Sequence, residues 1–195
     1  MEAATKESRP LFTNQQLCAL IVPLLIEQLL AVAVGMADTM MVSQAGEAAV
    51  SGVSLVDMIN NLIIYLFSAL ATGGAVVTSQ FIGARRIREA GDSAGQLVLL
   101  SLLSGLGILA FCLLCGRPVM RLFFGSITED VMEAGLLYLR ITAVSYPFLA
   151  LYNAGAALFR SVGNSGISMR VSIVMNLINI VGNAIGVLVL HLGVA

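Results

Sequence analysis

Five apolar runs, each long enough for the roughly 20 residues a bilayer core demands, set the limits on what this 195-residue chain can fold into. They cover approximately 14–42, 48–81, 92–115, 129–158 and 168–192, with short polar breaks at 43–47, 83–91, 116–128 and 160–166. A chain that is 58% hydrophobic and 11% charged, with a mean hydropathy of +0.97, does not have the composition of a soluble domain. The fold class read from the runs is therefore an all-α, polytopic transmembrane helix bundle of about five spans, over residues 14–195, behind a polar tail at 1–13. That tail is not a cleavable signal, because the first apolar run is too long and lacks a small-residue cleavage site.

Basic residues give the direction. With the tail cytoplasmic, the inner side holds Lys6, Arg9, Arg85, Arg86, Arg88, Arg160 and Arg170, against Arg117 and Arg121 outside. Arg140 falls inside the fourth run, where it either snorkels outward or pairs with an acid such as Asp38. Pro23 and Pro147 each remove a backbone hydrogen bond and are expected to bend the first and fourth helices. Ser126 and Glu129 have capping-box spacing at the start of the fourth helix. Gly91 with Gly95, and Gly182 with Gly186, have the small-residue spacing of tightly packed membrane helices.

Polar side chains inside such runs are candidates for function, since a carboxylate facing lipid costs about 2.5–3.5 kcal/mol on insertion scales. Asp38 is one, near the outer end of the first run. Glu27 lies eleven residues earlier, and eleven steps of about 100° bring it within roughly 20° of Asp38 on one helix face. In the fifth helix Ser172, Asn176, Asn179 and Asn183 recur at helical spacing and form a stripe. That stripe either knits helices together or lines a cavity with Asp38. Asp57, Asn60 and Asn61 cluster in the second helix, with Asp57 at cavity depth or at the outer rim. Asn153 and Tyr146 are further candidates, the tyrosine reading as an interfacial anchor. The segment from Thr72 to Ser79, with Gly73 and Gly74, reads as a packing surface.

Other chemistry finds little support. Cys112 and Cys115 make a CxxC inside an apolar run, where zinc would need further ligands, and His191 is the single histidine. No HExxH, GxSxG, Walker loop or GxGD is present, and Asp38 with Asp57 lacks the local sequence of an aspartyl dyad, so the chain is not expected to be an enzyme or to need an organic cofactor. A net charge of −1 without a basic run argues against nucleic acid.

Several separated motifs resemble one transporter family. Pro23 with Glu27-Gln28, then the stretch from Met36 through Asp38-Thr39 to Gly46, is similar to the first helix and loop of the multidrug and toxic compound extrusion (MATE) proteins. Gly73-Gly74, Gln80 through Arg85, Tyr138-Leu139-Arg140, Phe159 through Asn164, and Asn179 follow in the family's order. The resemblance implies a twelve-helix, two-lobe transporter exchanging Na⁺ or H⁺ for small organic cations. This chain would correspond to the first five helices of the N-terminal lobe, a fragment whose partners are membrane lipid and either the missing C-terminal half or a second copy. It also implies an integral protein of the cytoplasmic (inner) membrane. The family's first-helix acid maps to Asp38 and its fifth-helix amide to Asn179. The position four residues later, acidic in many members, is Asn183 here, so coupling in this half relies on Asp38, alone or with Glu27, or the missing C-terminal half supplies the other acids. Substrate-cavity candidates are Asp57, Asn60, Tyr138, Asn153 and Asn176. The rival readings are a lipid-carrier flippase, which would need basic cavity residues, and a non-transporting scaffold or dimerising half-protein.

Overall fold

The computed structural model describes residues 13–42 and 47–184, with backbone only at 37–42, 47–49 and 182–184. The tail, His191 and the end of the fifth run lie outside the described residues. Six helices follow one another: α1 (Asn14–Val42), α2 (Glu47–Gly83), α3 (Ile87–Phe124), α4 (Glu129–Ala143), α5 (Tyr146–Ser161) and α6 (Ser165–Ala184). Of these, α1, α2 and α3 are each long and apolar enough to cross a membrane, α4 and α5 qualify together as one span bent by 49°, and α6 contributes a shorter apolar stretch, Ser165–Val181.

The fourth run is thus two helices, not the single bent helix expected over 129–158. Pro147 is the cause, but it acts upstream of itself. Lacking an N–H, it offers nothing to the carbonyl of Ala143, and its ring crowds that carbonyl. The chain answers with a tight turn, in which both the amide and the hydroxyl of Ser145 donate to Thr142 O, at 2.9 and 2.7 Å. By contrast α1 continues through Pro23, and α3 continues through Pro118 to Phe124, so the third break shrinks from the expected 116–128 to 125–128. In an apolar helix with neighbours, a proline costs a hydrogen bond without ending the element.

Helix ends are closed locally. At the C-terminus of α2, Arg86 N donates to Phe81 O and Arg85 N to Ile82 O, a Schellman pair with Arg85 at φ 60° where glycine is usual. The same pair closes α5, Asn164 to Phe159 and Gly163 to Arg160, with Gly163 at φ 81°. Ser126 does not cap α4. The N-cap is Thr128, without a side-chain cap bond, and Glu129 instead forms an ion pair with Arg117 of α3. The capping box is at α1, where Thr13 N donates to Gln16 Oε1 at 2.9 Å.

Packing divides the helices into two bodies. One is α2 to α5, whose helices contact each other extensively around Val56, Ile63, Phe67, Met120, Leu139 and Tyr146. The other is α1, which packs chiefly on α6. Close approach in the first body is made by Gly52 on α2 against Gly135 on α4, and by Gly105 on α3 against Pro147 on α5. The expected Gly91 and Gly95 pair makes no such contact: a methyl at either would meet nothing within 4 Å. Gly182 and Gly186 lie outside the described side chains. The hydroxyl segment of α2 is a packing surface, with Thr78 bonded to Ser93 of α3 at 3.0 Å and Ala71 and Ala75 packed on Ala157. Cys112 is buried in the main core.

Candidate functional site

A cavity of about 500 Å³ lies between the two bodies. Its wall on one side is Ala31, Val34 and Gly35 of α1 with Asn176 of α6, and on the other Asp57, Asn60 and Asn61 of α2 with Tyr138 of α4. Four of the five substrate-cavity candidates, Asp57, Asn60, Tyr138 and Asn176, therefore meet around one space, on three elements. The fifth, Asn153, donates to Leu149 O at 2.9 Å within α5 and is not part of this wall.

The cavity's polar side is ordered by a chain of donors. Tyr146 OH donates to Asn60 Oδ1 at 2.7 Å, which turns the amide nitrogen of Asn60 toward Asp57 Oδ1 at 3.4 Å. Tyr138 OH also donates to Asp57 Oδ1, at 3.3 Å. Tyr146 is 1% exposed, so it is an internal strut and not the interfacial anchor expected from sequence. Its position at the start of α5, set by the Ser145 turn, is what aims the ring at α2. Among the described residues that line the cavity, Asp57 is the one that carries a charge.

On α6, Asn176 Nδ2 donates to Ser172 Oγ at 3.3 Å, and Ser172 is buried. Asn179 is exposed and is not among the lining residues. The side chains of Asp38 and Asn183 lie outside the described set, but both positions are helical. Position 38 follows Ala31, Val34 and Gly35 at steps of seven, four and three, the spacing of one helix face.

Glu27 has a separate setting. Its Oε1 accepts from Tyr152 OH at 2.8 Å and lies 3.9 Å from Arg160 Nη1, while its Oε2 accepts from Ser168 Oγ at 3.1 Å. Arg160 also donates to Ser168 Oγ at 3.3 Å. Sequence reading missed Tyr152, Arg160 and Ser168 as partners, although Ser168 stands four residues before Ser172 and extends the same stripe. Arg140 is exposed beside Arg117 and Glu133 in a cleft of about 300 Å³, away from the cavity.

A sequence model of MatE matches residues 23–185, most of the chain and all of the elements that build the cavity. The chain belongs to the MatE family. It is similar to the "Uncharacterized transporter YisQ" of Bacillus subtilis (strain 168), with 31% identity over 180 residues, and to the "Probable multidrug resistance protein NorM" of Aromatoleum aromaticum, with 27% over 156 residues. Among solved structures, a MATE protein in complex with MaL6 superimposes with a TM-score of 0.83 at 26% identity over 92% of this chain. The chain spans 39% of the YisQ transporter, 32% of the NorM protein and 40% of that solved chain. Family membership and the apolar helices together make this an integral membrane protein of the MatE type.

Proposed function

We propose that the chain forms part of a secondary transporter that exports organic cations in exchange for Na⁺ or H⁺, with the cavity between the two bodies as its cargo-facing wall. The observation that carries this reading is the cavity itself. Its lining offers one carboxylate, three amides and a phenol, and no basic side chain among the described residues. That chemistry suits a cation and not the phosphate of a lipid carrier. Asp38, with Asn179 and Asn183, is the proposed coupling group, and a second lobe or a second copy would complete the path, the relatives being more than twice this chain's length.

Efflux of a cationic dye from proteoliposomes, driven by an imposed Na⁺ or proton gradient, tests the reading. Asp57→Asn removes the cavity's charge while keeping its shape. A hydrogen bond to a charged group contributes roughly 1.5–3 kcal/mol, so the apparent KM should rise on the order of tenfold. An unchanged KM for several cationic dyes would remove Asp57 from the cargo site.

The proposed orientation, with the N-terminus in the cytoplasm of the inner membrane, follows the distribution of Arg and Lys. In a cysteine-free background on intact cells, an impermeant maleimide should label Glu47→Cys and spare Arg88→Cys. The reverse pattern would invert the topology.

A further inference from the structure

The cavity's walls belong to two bodies, and among the described residues one compact group of polar side chains bridges them. Among the described residues α1 packs chiefly on α6, with 6% of its apolar window buried within this chain, compared with 28% for α2. Among the described residues the α1/α6 pair meets the rest chiefly through α5, and that contact includes a polar group. Glu27 of α1 accepts from Tyr152 of α5 and Ser168 of α6, and Arg160 of α5 sits against both Glu27 and Ser168. Glu27 is one helical turn before Ala31, which lines the cavity, and Ser168 is two turns before Asn176, which also lines it. The group therefore lies beyond the lining residues, toward the start of α1 and of α6.

Its energetics depend on both charges being present. The Glu27 side chain is 17% exposed and that of Arg160 30%. A carboxylate so enclosed is tolerated because two hydroxyls and a guanidinium satisfy it, and deleting one charge strands the other in apolar surroundings. The escape open to a stranded charge is to let water in, which here means parting α1 and α6 from α5.

We propose that Glu27 and Arg160 are positioning residues that act through their charge balance: while matched they leave the α1/α6 pair closed against α5, and loss of either charge alone parts these helices, so the pair sets access to the cavity between the bodies. Neither residue touches cargo in this scheme. The step from access to transport rests on the proposed cargo role of the cavity, but access can be read without any cargo.

The test uses Ile64→Cys, at a half-buried lining position on α2, in a background lacking Cys18, Cys112 and Cys115. Maleimide modification of that thiol in the membrane-embedded protein reports access. Glu27→Gln and Arg160→Gln should each accelerate labelling on the order of tenfold, because each leaves an unpaired, partly buried charge. The double variant should return to within about twofold of the parent, since the charges fail together. A role in packing alone would make the double variant at least as fast as the singles. Tyr152→Phe removes one donor to Glu27 without altering charge and should give roughly a two- to threefold rise, which keeps the test open if a charge variant fails to insert. Unchanged labelling in the variants that insert, or a double variant as fast as the singles, overturns the proposal. Dye efflux by Asp57→Asn is a separate measurement, so failure of the cargo reading and failure of this one are distinguishable.

Discussion

Asp38→Asn is expected to abolish gradient-driven dye efflux, by roughly a hundredfold or more, while expression and membrane insertion stay at parental levels or improve. An aspartate costs about 2.5–3.5 kcal/mol at a helix centre on insertion scales, and asparagine avoids most of that cost at nearly the same shape. What the amide lacks is a second charge state. A carboxylate can be neutralised by a proton or a Na⁺ and then released as an anion, so it can link cation binding to cargo binding through one group. An amide cannot alternate. Position 38 falls in helical register with Ala31, Val34 and Gly35, which line the cavity proposed to receive cargo. Asn183→Asp, by contrast, adds an acid on α6 seven residues beyond Asn176 and should be tolerated, with an altered pH dependence of efflux. With protein levels matched, parental efflux by Asp38→Asn would reduce Asp38 to a rim or packing residue and end the coupling scheme.

The apolar runs were readable because a bilayer enforces length, and the helical stretches of α1, α2 and α3 follow from that constraint alone. Residue type singled out Asp57, Asn60 and Asn176, since intramembrane polar groups have few places to point except toward one another, whereas Tyr138, which lines the same cavity, entered only through the family resemblance. What escaped was long-range. Glu27 meets Tyr152 and Ser168 across 125 and 141 residues of sequence, so helical periodicity within one run could relate Glu27 to Asp38 but could not reveal either partner. The split of the fourth run escaped for a local reason: Pro147 disturbs the carbonyl four residues earlier, which places the break at 144–145 and the proline inside the next helix. Glycine spacing misled as well. Gly91 and Gly95 have the favoured interval but face open space, whereas Gly52, Gly105 and Gly135 carry the contacts without it. Spacing identifies a face, and only the fold decides whether anything lies against it.

The glycines of α3 give the clearest opposed pair of stability effects. A methyl built on Gly105 would stand 2.7 Å from Pro147 Cα and 3.1 Å from Tyr146 O, backbone atoms that cannot rotate away. Two residues on, a methyl on Gly107 would meet nothing within 4 Å. Gly105→Ala should therefore overpack the junction of α3 with the start of α5, at about 1–3 kcal/mol, lowering the melting midpoint by roughly 5 °C in a chain of this size. Gly107→Ala should raise it by a degree or two, since alanine is favoured over glycine in a helix by roughly 0.5–1 kcal/mol. Fluorescence-detected size exclusion after heating steps in detergent measures both. The displacement caused at Gly105 also bears on the cavity, because the start of α5 carries Tyr146, whose hydroxyl fixes the amide of Asn60 at 2.7 Å. Moving that ring releases Asn60 from the orientation that turns its nitrogen to Asp57, so a weakened dye KM should accompany the lower midpoint in Gly105→Ala alone. If Gly105→Ala melts at or above the parent, α3 and α5 do not approach as closely as the fold has them, and the strut from Tyr146 to Asn60 loses its support.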